Sequence, residues 1–409
     1  MRPDAFLAGL RRAIRIDFFL TLTLCLALLA SAPAQAQTFT VLHAFTGAPD
    51  GKAPEAGVIV DATGNVYGTT SGGGVHFSGT LFELAPGGEE TILYNFLGIY
   101  GQDPESALFR DAKGTLYGTT EGGGTSNWGT VFKVRGKGKE KVLYSFPEND
   151  GEPYSAVIRD AHGNLYGSTF GANGSCGVVF KLSPAGKETV LYSFTGGTDG
   201  CGPIGSLIGD AAGNLYGVAY AGGDLSCMSP YGCGVVFKLD TVGNETVLYT
   251  FTGGSDGARP VGIVRDKDGT FYGATAFGGI SSCVLFGVPG CGTVFKLDAT
   301  GQETVLYRFT NTDGDGAGPA AGVVLDPAGN IYGSASIGGN DDYGVVFMLD
   351  TSGKETILHS FTGGADGGEP SGVVLDAAGN IYGTTPEGGD LNCRFWGHPN
   401  CGTVFKITP

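Results

Sequence analysis

Charge is in short supply in this sequence: only 16% of its 409 residues are Asp, Glu, Lys or Arg. What charge there is leans acidic, with a net of −16 at pH 7. Nucleic acid or an anionic membrane surface would be repelled by such a body, so neither is expected as a partner. Histidine is also scarce, with five residues scattered along the chain. Neither H-E-x-x-H nor H-x-x-E-H occurs, so a zinc hydrolase has no motif behind it. No apolar run reaches the roughly 20 residues that cross a bilayer. The run from Phe18 to Ala30 follows Arg11, Arg12 and Arg15 and precedes Ala34-Gln35-Ala36. Those are the charged, apolar and A-x-A parts of an export signal, cut after Ala36. Residues 1–36 are therefore expected to be a signal peptide, and residues 37–409 a secreted or periplasmic body with no membrane insertion. Cys25 follows Leu24 rather than the small residue a lipidation site needs, and no anchor pattern is expected at the C-terminus.

Glycine, by contrast, is abundant at 75 residues, and it falls at fixed offsets between Val/Ile/Leu/Phe/Tyr runs. This placement reads as turns in an all-β protein rather than as disorder. The stretch Pro370–Thr385, PSGVVLDAAGNIYGTT, is an extended run, a tight polar turn and a second extended run, which is a β-hairpin. It occurs seven times, its Asp recurring as Asp61, Asp111, Asp160, Asp210, Asp266, Asp326 and Asp376. Its Tyr-Gly recurs at Tyr67, Tyr117, Tyr166, Tyr216, Tyr272, Tyr332 and Tyr382. Each unit adds two further extended segments, as in Gly344–Leu349 and Glu355–Phe361, for a period near 50 residues. Four antiparallel strands at that period describe a β-propeller blade. Adjacent large residues such as Ile331 and Tyr332 break strict alternation, as expected when both faces of a sheet are covered by neighbouring blades. The repeated tyrosines are expected between blades.

The seventh unit stops after its third strand, and the first residues after the signal, Thr38–Phe45, match the fourth strands of other units. Placing that N-terminal strand on the outside of the last blade closes a seven-bladed ring and removes two sheet edges. The expected blades are 54–96, 104–146, 153–194, 203–251, 260–309, 319–361, and 370–407 with 38–45.

The unit P-x-G-V-x-x-D-x-x-G-N-I-Y-G-T-T, then G-T-V-F-K-L, then E-T-V-L-Y-S-F-T-G-G-x-D-G, resembles the tandem repeat of the GloVer ("choice-of-anchor") family. Its first half is similar to the hairpin of NHL propeller repeats. The resemblance covers residues 38 to 409 and implies a secreted bacterial repeat protein, usually of unassigned activity and sometimes with an anchor segment. Unit two departs from the pattern, with Thr115 for Asn and Gly98-Ile99-Tyr100 in place of TGGxDG. The family brings no catalytic motif.

In such a blade the one–two and three–four turns lie on one face of the ring, and the two–three loops and inter-blade links on the other. The second face holds nearly all the length variation, so a binding site is expected there. Its long loops, in units four, five and seven, carry Cys227 with Cys233, Cys283 with Cys291 and Cys393 with Cys401. Cys176 takes the same place in unit three, leaving Cys201 in the following link as its partner. Four disulfides are expected; zinc is disfavoured by the spacings and by export. The same loops offer aromatic side chains suited to stacking on sugar rings or anchoring a protein. The candidate ligand-binding residues are Trp128, Tyr231, Phe286, Tyr343, Arg394, Phe395, Trp396 and His398, with Phe77 a further loop aromatic. A packing role over the blade mouths competes with that reading. Asn311, Asp313 and Asp315 open like a calcium loop but lack the closing Glu, so a solvated turn is favoured and no cofactor is expected. His43 and His359 replace the Tyr of L-Y-x-F and are expected to act as core substitutes. The leading expectation is a monomeric, non-catalytic propeller that binds a polysaccharide or surface protein. The alternatives are a hydrolase or lyase with a metal in the central channel, and a purely structural envelope protein. Three or more convergent carboxylates or histidines at the axis would favour the enzyme, and a Gly/Val-lined channel would not.

Overall fold

The computed structural model describes residues 37–409 apart from 139, 396, 397 and 400; the expected signal peptide lies outside the described residues. Phe39–Thr408 form one compact unit of small antiparallel sheets arranged as a seven-bladed β-propeller. Blade 1 comprises Ile59–Val60, Val66–Thr70, Thr80–Leu84 and Glu90–Asn95. Blade 2 runs from Phe109–Arg110 to Glu140–Ser145, and blade 3 from Ile158–Arg159 to Glu188–Ser193. Blade 4 runs from Cys201–Gly209 to Glu245–Thr250, and blade 5 from Ala258–Arg265 to Glu303–Arg308. Blade 6 opens with two short pieces, Gly316–Pro319 and Val324–Leu325, and ends at Glu355–Ser360. Blade 7 takes Val373–Leu375, Ile381–Thr385 and Thr403–Thr408 from the C-terminus, and Thr38–Ala44 pairs on its outside. The N-terminal strand therefore closes the ring.

Phenylalanine pairs hold blade to blade. Phe96 at the end of blade 1 meets Phe132 on the third strand of blade 2, edge to face, with centroids 5.1 Å apart. The same contact recurs as Phe146–Phe180, Phe194–Phe237, Phe251–Phe295, Phe309–Phe347 and Phe361–Phe405. Phe45 from the N-terminal strand completes the circle on Phe82 of blade 1, at 5.2 Å. This is the preferred geometry for aromatic pairs, and these rings are among the most deeply buried side chains.

The glycine of each Tyr-Gly makes room for the phenylalanine opposite. Gly217 pairs with Phe237 across the sheet, and a Cβ there would lie 2.7 Å from its ring tip. The tyrosine beside it packs on the next blade: Tyr67 joins Leu108, Leu116 and Phe132, and Tyr382 joins Val58, Val66 and Phe82. Its hydroxyl also donates to the Asp of its own hairpin turn, as Tyr216 does to Asp210 at 3.0 Å. That Asp accepts in turn from Ala212 N and Asn214 N, both at 2.9 Å, so it serves the turn.

Around the inner strands, second-strand hydroxyls donate to backbone carbonyls at the start of the next blade. Thr69 bonds Pro104 O at 2.9 Å, and Thr384 bonds Ala56 O at 2.8 Å across the closing seam.

Candidate functional site

The two–three loops and links lie on the variable face. Four disulfides tie them: Cys176–Cys201, Cys227–Cys233, Cys283–Cys291 and Cys393–Cys401. The first bridges the loop of blade 3 to the opening strand of blade 4; the others each close one loop on itself.

The loop aromatics do not behave alike. Phe286, Phe77 and Tyr231 are 85%, 70% and 66% exposed. Tyr343 lies over Gly363, where an added Cβ would strike its ring at 2.4 Å. Trp128 is only partly exposed and packs beside Phe146 and Tyr144 at the seam between blades 2 and 3. Arg394–Phe395 and His398–Pro399 pair as a two-residue-stranded hairpin, while Trp396 lies outside the described residues. These residues belong to several different loops of the sequence.

Asp315 is buried and accepts from Thr310 N at 2.6 Å and Gly316 N at 2.7 Å, while Asn311 and Asp313 are exposed.

A set of residues the sequence reading passed over does converge, at the mouth of the ring on the variable face. Two positions of the repeat supply most of it: the residue after the Pro of the first strand, and the residue four past the Tyr of the second strand. In blade 2 these are Glu105 and Glu121, whose backbone N donates to Asp103 O at 3.0 Å. The Glu105 carboxyl is within hydrogen-bonding reach of both Glu55 and Glu121. Burial and then these two neighbours push it up to about 10, so at neutral pH it carries a proton. Glu121 Oε1 also accepts from the Tyr154 hydroxyl at 2.7 Å.

From Tyr154 the surface turns aromatic. Its ring meets Phe170 edge-on at 5.7 Å, and Phe170, 38% exposed, meets Tyr220 at 6.4 Å. The Arg259 guanidinium lies 5.0 Å over Tyr220 and 5.5 Å over Phe277, and donates to the Tyr220 hydroxyl at 3.3 Å. Arg259 Nε is buried without a partner, and the residue holds φ of 56°. One arc of touching side chains thus runs from blade 1 to blade 5, carboxylic at one end and aromatic with a cation at the other. Sequence could have flagged most of it: Glu55, Glu105 and Tyr154 follow a Pro, and Glu121, Phe170 and Tyr220 stand four residues past the Tyr, two variable columns inside an otherwise uniform repeat, while Arg259 and Phe277 fall outside both.

The repeat pattern of the Gloeobacter/Verrucomicrobia repeat family matches residues 29–229, 136–288 and 284–409. The chain belongs to that family. Among curated proteins none matches it in sequence. Among solved structures it is similar to the extracellular domain of a B. thetaiotaomicron protein described as a hybrid two-component system, with 15% identity and a TM-score of 0.55, covering 91% of this chain and 41% of that one. The extracellular domain of a second B. thetaiotaomicron protein, described as a one-component system, matches at 12% identity and a TM-score of 0.55, covering 91% and 42%. This family member therefore spans about two-fifths of those chains, and the likeness is one of fold. Four disulfides favour an oxidising, extracytoplasmic setting. Among the described residues no helix is long and apolar enough to cross a membrane.

Proposed function

We propose that this propeller is an exported, non-catalytic binding protein that takes a saccharide chain at the mouth of the ring on its variable face. The observation that carries the reading is the arc from Glu55 to Phe277. Sugar rings ask for aromatic faces to stack on and for carboxylate and guanidinium groups to bond their hydroxyls. Tyr154, Phe170 and Tyr220 supply the first; Glu121 and Arg259 supply the second. The loop aromatics Tyr231 and Phe286 stand exposed in the two–three loops of the same variable face.

The test is a glycan and protein pull-down with the protein lacking its signal, with and without chelator. Retention of a polysaccharide that is lost in Phe170→Ala/Tyr220→Ala supports the reading. Unchanged retention by that variant, or capture of a protein only, counts against it.

The carboxyl trio gives one specific reason to keep an enzyme in view, because a protonated Glu105 between two other carboxyl groups could act as a general acid. If the protein cleaves the glycan it binds, Glu105→Gln should remove turnover while leaving binding within a few-fold.

A further inference from the structure

Each blade seam carries one repeated polar cluster at the outer rim. A Tyr or His near the end of a fourth strand faces the Asp of the following link, the Glu that opens the next blade's fourth strand, or both. Tyr249 donates to Asp256 at 3.1 Å, and Tyr307 donates to Glu355 at 2.8 Å. A tyrosine hydroxyl settles such a carboxylate by giving it a hydrogen bond, and with an ordinary pKa near 10 it stays protonated at neutral pH.

Two seams carry histidine instead, and they differ. At the seam between blades 6 and 7, His359 bonds Asp366 at 3.1 Å, but the N-terminal strand places Phe39 against its ring at 3.6 Å. At the seam between the N-terminal strand and blade 1, both carboxylates are present. His43 Nε2 lies 3.3 Å from Asp50 Oδ2 and 3.9 Å from Glu90 Oε1, and one atom from each of the three residues lies within 4.8 Å of the others. This is the one such group of His, Cys, Asp and Glu among the described residues.

We propose that His43, Asp50 and Glu90 form a binding site for a divalent cation of the zinc type, which pins the ring-closing strand to blade 1. The donor set, one imidazole nitrogen and two carboxylates, suits zinc or manganese rather than calcium, which seeks six to eight oxygens. Two carboxylates with a neutral imidazole also balance the ion's charge. Ligand atoms about 2.0 Å from a tetrahedral ion sit roughly 3.3 Å apart. The His43–Asp50 distance already meets this; Glu90 lies 3.9 Å from His43 and within 4.8 Å of Asp50, and has to close on both. Asp50 is oriented by hydrogen bonds: its Oδ2, the atom that faces His43, accepts from Thr46 N at 2.9 Å and Thr46 Oγ1 at 3.0 Å, and its Oδ1 accepts from Gly51 N at 2.7 Å. Glu90 Oε1 is buried and has no hydrogen-bond partner. The three side chains are 19%, 12% and 15% exposed, which leaves an opening for a water as a fourth ligand.

Zinc chloride titrated into chelator-treated, disulfide-intact protein tests this, read by calorimetry and by thermal unfolding. The expected result is one ion per chain and a higher Tm with zinc. His43→Tyr installs the residue of the other seams and should fold, yet bind zinc more than about tenfold more weakly and lose the Tm response. Glu90→Gln should behave like it, and His359→Tyr should behave like the parent. No uptake by the parent means the triad is a hydrogen-bonded ion pair only, which overturns the proposal. Equal uptake by His43→Tyr places the ion elsewhere and overturns it too.

Discussion

The seven phenylalanines of the third strands and the seven glycines facing them are one device, written in two residue types. Because Gly217 has Phe237 2.7 Å from where a Cβ would be, Gly217→Ala must displace the ring that also holds blade 3. A loss of about 1–3 kcal/mol by denaturant unfolding is expected, with no change in the neighbouring turn. Titration at the seams sets a pH profile. Glu245 and Glu303 are pushed up to about 7, first by burial and then by Asp199 and Asp256. Their unfolded value is near 4.5, so the native state holds more protons than the unfolded chain between the two, and stability is expected to fall as pH rises from about 4.5 to 7. Asp61 has the opposite sign. Burial would raise it, but hydrogen bonds from Thr63 and Asn65 bring it down to about 2. Its contribution is present above its unfolded value and disappears as pH falls through 2. Thermal unfolding across pH should show a mildly acidic optimum, and Glu245→Gln with Glu303→Gln should flatten the alkaline limb. The repeated Asp and Tyr were readable as framework from recurrence alone. What their hydroxyl and carboxylate do to each other was not, because a pKa depends on which groups meet after folding.

Strands and loops divide the labour differently. Every third-to-fourth strand pair of blades 1 to 6 carries a register shift just before its Phe, as between Val236 and Phe237, which adds twist where the ring needs it. The disulfides act on loops. Cys227–Cys233, Cys283–Cys291 and Cys393–Cys401 enclose 6, 8 and 8 positions, whereas Cys176–Cys201 encloses 25 and joins two blades. On chain entropy, removing a short bridge should cost about 2 kcal/mol and the long one about 3.5 kcal/mol. Cys176→Ser/Cys201→Ser is thus expected to lower the unfolding midpoint more than any other pair, and equal losses would contradict this. The cysteine pattern was legible because Cys176, Cys233, Cys291 and Cys401 each precede a strand-opening glycine. The loop aromatics were less so. A sequence says that Trp128 lies in a loop, but only packing says that it rests against Phe146 while Phe286 stands free.

At the scale of the ring, closure is the decisive event. If the N-terminal strand were a loose end, Phe45 would contribute little; in the closed ring it is fully buried against Phe82. Phe45→Ala should therefore cost as much as Phe194→Ala inside the array, about 3–5 kcal/mol, measured by denaturant unfolding. A much smaller loss for Phe45 would mean an open solenoid. The same closure brings His43 to Glu90, residues on different blades whose meeting no local pattern announces. The packing of consecutive blades likewise brings Glu105, on blade 2, to Glu55 of blade 1 and its own blade's Glu121. The sequence by itself determined the blade, the number of blades and the strand that completes the last one, because those follow from short-range turns, a fixed period and an unmatched end. Only the tertiary structure decided which variable side chains share a site. Those neighbours are set by the curvature of the ring, which places residues about 50 positions apart within contact of each other.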